Sequence, residues 1–306
     1  VGLHALLLGI LGAKAVNTVV PGILTVGLFD QTFSHNPSAT AHQPLPATIR
    51  YVPGADHIDE CDVVLATPAA VAGYPCPFRH PRKALWLIEN REFEPHPPRS
   101  AMDGYDLVLA NDAALVADLG PRARWLSLIG TWLPLLPQAP KTCGISMISS
   151  AKRQTSGHRL RHEVAALRGM LPHFDGYGPL FGTGYLPQKA DALAPYRFTI
   201  VIEPAAYDCL VTEKVCDAFA ARCVPIFWGP RDLTPLSSLG FDISGILRWT
   251  DVKTSLRDVL HLVTRHGEAI YADHEAAIET NYRRARELAT TETLLEPLLR
   301  DYFDLR

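Results

Sequence analysis

Short apolar runs separated by polar and proline-rich segments set the pattern of the first half of the chain. "ILTVGLF" (23–29), "CDVVLA" (61–66), "ALWLIE" (84–89), "DLVLA" (106–110) and "RWLSL" (124–128) are continuous rather than alternating. Such runs suit strands covered on both faces, as in parallel sheets. The segments between them, among them "GYPCPFRHPRK" and "EFEPHPPRS", read as loops.

A proline-rich stretch, "LPLLPQAPKT" (133–142), reads as a linker, and beyond it the pattern starts again. "GISMIS" (144–149) is a strand, followed by the polar loop "SAKRQTSG". The spacing then predicts a helix over 158–171, with Leu160, Val164 and Leu167 on one apolar face. "FTIVIE" and "VPIFW" are two further strands with the helix "EKVCDAFAA" between them. A strand-helix-strand unit of this kind implies a parallel sheet with a right-handed crossover. The chain from residue 267 onward reads as helices. The expectation is two α/β domains with a cleft between them.

Composition narrows the function classes. The chain has 306 residues, of which 47% are hydrophobic, enough to bury real cores. A formal net charge of −3 argues against nucleic acid or an acidic membrane as the main partner. The six cysteines form no Cys-x-x-Cys pair and read as buried, reduced thiols. Twelve histidines occur without a His-Glu-x-x-His motif or a zinc-type cluster, so no structural metal is expected. The apolar N-terminus is interrupted by His4, Lys14, Asn17 and Pro21, short of a clean membrane span. It reads as a buried or interfacial helix in a cytoplasmic protein, with peripheral membrane contact through residues 1–25 as a further reading.

The densest chemistry lies in "FTIVIEPAAYDCLVTEKVCDAFAARCVPIFWGP" (198–230). Ligands of open parallel sheets bind beyond the carboxyl ends of the strands, and the segment after Glu203 sits at such an end. It feeds a helix whose first turn holds Glu213 and Lys214. A helix N-terminus favours phosphate, and Lys214 adds a full positive charge there. Glu213 cannot bind phosphate, but it can accept hydrogen bonds from sugar hydroxyls. The pair therefore suits a sugar attached to a phosphate. The residues alone equally allow a plain first-turn acid beside a solvated lysine.

The same stretch, with Tyr196 and Arg197 before it, resembles the donor-binding signature of the α-1,3-fucosyltransferases, glycosyltransferase family GT10. Order, spacing and strand-helix-strand context agree over about 35 residues. Upstream, "ALWLIENREFEP", "DGYDLVLAND" and "SMISSAKRQTSGHRLRHEVAAL" resemble further family segments. The resemblance implies a GT-B fold, two Rossmann-like domains with parallel sheets facing a cleft. It implies domains at 1–140, on the acceptor side, and 141–285, binding the nucleotide-sugar, with a helical tail at 286–306 packing back on the first.

It also implies inverting transfer of fucose from GDP-fucose, as donor substrate, to a hydroxyl of a glycan acceptor, with no further cofactor. Carried over, Glu213 would hold the fucose and Lys214 the diphosphate, with Thr212 and Val211 beside them. Arg159 would neutralise the diphosphate, Arg161 being the alternative if the alignment shifts by two. Glu89 matches the proposed general base, and Glu203 the acid of the family's Phe-Glu-Asn-Ser segment. Pro204 stands where that segment has Asn, Leu210 where the family has Tyr, and Ala221-Arg222 where it has Ala-Gly. No Asp-x-Asp motif occurs, which fits a site where protein cations neutralise the diphosphate. The rival readings are another nucleotide-sugar donor, a non-catalytic sugar-nucleotide-binding protein, and a lipid-linked acceptor.

Overall fold

The computed structural model describes residues 22–29, 43–54, 57–68, 76, 78–136 and 138–305. The chain divides into two compact units, 1–128 with 290–306, and 129–289. The division lies about a dozen residues before the expected boundary at 140, because Ile129 to Trp132 already belong to the second unit.

The first unit is built on a six-stranded, all-parallel sheet in the order β2-β1-β3-β4-β5-β6. Its strands are β1 (Leu24–Phe29), β2 (Ile49–Pro53), β3 (Val63–Ala66), β4 (Lys83–Leu87), β5 (Leu107–Ala110) and β6 (Ala123–Trp125). Every residue of β3 and β5 is buried, as the continuous apolar runs require. The sequence pattern misses β2, an edge strand with alternating burial that ends in a proline. Helix α1 (Ala113–Leu119) starts at Asp112, whose Oδ1 accepts from the backbone N–H groups of Ala114 (3.0 Å) and Leu115 (3.4 Å).

The second unit carries a five-stranded parallel sheet, ordered β11-β10-β9-β7-β8. Its strands are β7 (Cys143–Ile148), β8 (Phe174–Tyr177), β9 (Tyr196–Ile202), β10 (Val224–Trp228) and β11 (Leu247–Arg248). Helices α2 (Ser156–Ala165), α3 (Glu213–Ala220), α4 (Arg257–Asp273) and α5 (Glu275–Glu287) belong to the same unit. Ile145, Phe198, Ile200 and Ile226 from the sheet pack with Leu256, Leu260 and Ile278 in one core. The pattern misses β8, whose sequence Phe-Asp-Gly-Tyr has no apolar run, and β11, which is two residues long. Helix α2 starts earlier and ends sooner than predicted. Thr155 caps it, and its last turn gives way to a separate turn at Arg168–Met170 around Gly169.

Helix α6 (Glu292–Phe303) returns to the first unit. Its buried Glu292 accepts from Tyr51 Oη (3.1 Å), and Glu296 accepts from Thr48 Oγ1 (2.5 Å) and Arg300 Nε (2.8 Å).

Helix α3 ends in a Schellman motif. Cys223 N–H bonds to Ala218 O and Arg222 N–H to Phe219 O. Arg222 therefore takes a left-handed φ of 55°, which favours glycine. The arginine is held there by its own side chain. Its Nε donates to Glu279 Oε1 at 2.5 Å, and its guanidinium stacks 3.4 Å from the Tyr282 ring centroid.

All six cysteines are free, and four of them are buried. Among the described residues, no helix is long and apolar enough to cross a membrane. Residues 1–21, where the interfacial helix is expected, lie outside the described residues.

Helix α2 approaches the end of β9 closely at Gly157. A Cβ added at Gly157 would stand 1.9 Å from Glu203 O and 2.7 Å from Pro204 O. Its N–H donates to Pro204 O at 2.9 Å. Gly157→Ala is expected to cost about 1–3 kcal/mol or more, since a backbone must move to admit the methyl. Gly169→Ala, where nothing lies within 4 Å, is the control and is expected to unfold at the wild-type temperature. Thermal melts of the two variants check this.

Candidate active site

The strand order of the second sheet reverses between β7 and β9. Loops leaving two such strands at their carboxyl ends diverge and open a crevice. A cavity of about 200 Å³ lies at this place, lined by Ile148 at the end of β7, by Ser149 just after it and by Ile202 at the end of β9. Its charged lining is Arg161, Lys189, Glu213, Lys214 and Asp217.

Glu203 follows β9 directly and is fully buried. Its carboxylate takes both hydrogens of Thr212, the backbone N–H at 2.9 Å and the hydroxyl at 2.7 Å. Thr212 is also the residue that caps α3, with its Oγ1 3.5 Å from Lys214 N. The helix mouth is thereby tied to the strand end. Lys214 Nζ donates to Thr212 Oγ1 at 3.1 Å and to Glu213 Oε1 at 3.0 Å. Glu213 and Lys214 thus stand paired at the mouth of the helix, both facing the cavity.

The two acids behave oppositely. Burial pushes the Glu203 carboxyl up, against the pull of Lys214 and the Thr212 hydrogen bonds. Burial also works to raise Glu213, but Lys214, Lys189 and its hydrogen bonds outweigh it and hold the carboxyl at about 2. Glu213 is therefore an ionised, acceptor-only group at neutral pH.

Arg161 and Arg159 part company. Arg161 is buried, lines the cavity and donates from Nη2 to Ile202 O at 2.6 Å. Burial lowers its pKa, yet a guanidinium keeps its charge. Arg159 is exposed, bonds to Gln154 O at 3.2 Å, and is not among the residues lining the cavity. Two residues along a helix turn the side chain by about 200°, so the two arginines occupy opposite faces. The legible signal is that Arg161 shares a face with Gly157 and Val164, both buried. His158 adds no charge. Burial, then Arg161 and neighbouring lysines, pull its imidazole down to about 4, and its Nδ1 accepts from Thr155 N at 3.4 Å.

Val211 is fully buried and Leu210 nearly so, and neither lines the cavity. Pro204 is buried, with its carbonyl on Gly157. Sequence reasoning missed Lys189 and Asp217. Lys189 Nζ bonds to Asp217 Oδ2 at 2.7 Å and lies 4.7 Å from the Trp132 ring centroid. Asp217 Oδ1 accepts from Thr131 Oγ1 (2.9 Å) and Trp132 N (2.7 Å). Asp217 stands one turn after Glu213, and that spacing is its signal in the sequence. Lys189 lies in an irregular segment that offers none.

In the first unit, Glu89 is half-buried just beyond β4. Its loop is clamped on both sides. Asn111 Nδ2 donates to Ile88 O at 2.9 Å, and Asn90 Oδ1 accepts from Phe93 N at 3.1 Å. Arg91 reaches the buried Asp112 at 2.5 Å. Among the described residues, no group of three or more His, Cys, Asp or Glu is placed to hold a metal ion.

No protein-family model and no curated protein matches the chain. Solved structures do. An α1,3-fucosyltransferase with GDP-fucose is similar at TM-score 0.56 and 14% identity, over 97% of this chain and 95% of that one. The α1,3-fucosyltransferase with GDP gives TM-score 0.55 and 13% identity, again over 97% and 95%. TarM is similar at TM-score 0.51 and 12% identity, over 79% of this chain and 54% of its own. At these identities the likeness is one of fold. With two parallel α/β units, six and five strands wide, the fold is GT-B.

The two acids make opposite contributions to stability. A carboxyl raised on folding destabilises as pH climbs from its unfolded value of 4.5 through the folded one. One depressed to about 2 stabilises above 4.5 and loses that contribution as pH falls toward 2. Glu203→Gln is expected to flatten the loss of stability on the alkaline side. Glu213→Gln is expected to flatten it on the acid side. Urea unfolding from about pH 3 to about pH 8 checks both slopes.

Proposed function

We propose that the protein is an inverting glycosyltransferase that moves fucose from GDP-fucose to a hydroxyl of a glycan acceptor. The observation that carries this is the cavity at the β7/β9 switch point, where Arg161 and Lys214 flank an ionised Glu213. The sequence resemblance to the α-1,3-fucosyltransferases and the GT-B fold support it.

In this reading the reaction is a single displacement. The acceptor oxygen attacks the anomeric carbon, its proton passes to Glu89, and the bond to the GDP oxygen breaks. The transition state has oxocarbenium character, and negative charge grows on the departing diphosphate. Fixed cations at that oxygen stabilise the transition state more than the ground state. Arg161 takes the part first expected of Arg159, because it faces the cavity and is held by Ile202 O. Lys214 is the second cation. Glu213 accepts hydrogen bonds from the sugar hydroxyls. Glu203 and Thr212 act behind them by fixing the helix mouth.

A second reading keeps the chemistry and changes the donor. Pro204 and Leu210 are buried and offer no side-chain hydrogen bond, where the family pattern has Asn and Tyr.

Binding and kinetics test the assignment together. GDP-fucose at about 100 times its Kd is expected to stabilise the wild type by roughly 2.7 kcal/mol, with EDTA present. Arg161→Met is expected to lower kcat by about 100-fold or more. Glu213→Ala is expected to weaken GDP-fucose binding as well as turnover. Glu89→Gln is expected to leave donor affinity intact and lower kcat by roughly 100- to 10,000-fold. Calorimetry and steady-state assays on a panel of galactose- and N-acetylglucosamine-containing acceptors measure these. Near-normal kcat in Glu89→Gln removes it as the base. Stabilisation by other nucleotide-sugars but not by GDP-fucose selects the second reading.

A further inference from the structure

Glu213 and Asp217 lie one helical turn apart on α3, and both line the cavity. Such a pair sits on one helix face, about 5–6 Å apart at Cβ, and two like charges there repel. Asp217 is buried and Glu213 mostly so, so water screens them poorly. Something must offset two carboxylates on one buried face. Lys214 does so for Glu213, and Lys189 reaches the other acid.

Lys189 does not stand free to meet a ligand. Its ammonium donates to Asp217 Oδ2 at 2.7 Å and is covered by the Trp132 ring at 4.7 Å. Asp217 is fixed in turn through its other oxygen by Thr131 Oγ1 and Trp132 N. A strongly held cation is thus built against the helix face that carries Glu213. It is supported by the residues immediately before the proline-rich stretch.

We propose that Lys189 is a positioning residue of the sugar-binding acid, held by Asp217 and Trp132 so that Glu213 remains a charged acceptor for the donor sugar's hydroxyls. The donor-sugar part of this rests on the function proposed above; the Lys189–Glu213 coupling does not. Burial works against the Lys189 charge, but Asp217 and then Glu213 outweigh it and push its pKa up. The same coupling appears on the other side, where Lys189 follows Lys214 among the groups that lower Glu213. The segment that begins the second unit is therefore part of its site, not a passive connection.

The test reads Glu213 directly. The ¹³C resonance of its side-chain carboxyl, assigned by its loss in Glu213→Gln, is followed from about pH 7 to about pH 3 without ligand. In the wild type it is expected to stay ionised throughout. In Lys189→Met its midpoint is expected to rise by about one unit or more, into that window. Lys189→Arg is expected to restore the wild-type titration. Should Lys189→Met fail to fold, Lys189→Gln, which can still donate to Asp217 but carries no charge, is compared with the wild type. The same upward move is expected in that comparison. An unmoved midpoint in either comparison overturns the inference.

A second arm follows the affinity of GDP-fucose and of GDP against pH. Lys189→Met is expected to lose affinity for GDP-fucose on the acid side while GDP binding holds. Equal losses for both ligands make Lys189 a diphosphate contact and overturn the positioning role. A wild type that binds neither ligand sinks the donor assignment, while the ligand-free titration still decides the coupling of Lys189 to Glu213.

Discussion

The second unit is arranged about one buried carboxylate. Glu203 leaves β9 with no exposure and takes both hydrogens of Thr212. That single contact sets where α3 begins, because Thr212 is its cap. It also sets where Lys214 points, because the lysine donates to the same hydroxyl. The backbone of Glu203 and Pro204 meets Gly157 at a distance that admits no side chain. Through that approach α2 is seated, and with it Arg161. A strand end, two helix starts and two cations thus depend on one acid that never reaches solvent.

Burying such an acid is costly unless its oxygens are satisfied. The arrangement puts that cost next to a feature that uses it. Glu203 is pushed up by burial, while ten residues later Glu213 is held at about 2 by two lysines. Neighbouring acids separated in this way have separate tasks. One serves as a structural acceptor fixing the helix mouth, and the other presents permanent charge to the cavity.

Much of this was legible in the sequence. The continuous apolar runs mark β1, β3, β4, β5, β7, β9 and β10, because buried parallel strands cannot alternate. Thr-Glu-Lys after an apolar strand locates the helix mouth. What escaped has physical reasons. Strand β2 is an edge, and β8, an edge as well, puts a single apolar residue, Phe174, into the core. Arg159 and Arg161 are separable only by helix phase, which becomes readable once Gly157 and Val164 are known to face inward. Lys189 carries no local pattern, since its place is fixed by Asp217 and Trp132, which are distant in sequence.

Two positions show how backbone and side-chain constraints are settled locally. At Arg222 the backbone must turn left-handed to close the Schellman motif. Glycine would do this at less conformational cost, but it could not reach Glu279 or stack on Tyr282 of α5. The arginine trades backbone ease for a tie between α3 and α5. At Pro204 the trade runs the other way. Proline offers no side-chain hydrogen bond, but its carbonyl receives Gly157 N–H and its ring restricts the chain where α2 crosses it. In both places a main-chain contact holds the helix, α3 at Arg222 and α2 at Pro204. The scaffold of the cavity is thus set by main-chain contacts around Glu203, while the side chains at 204 and 210 are buried without lining it.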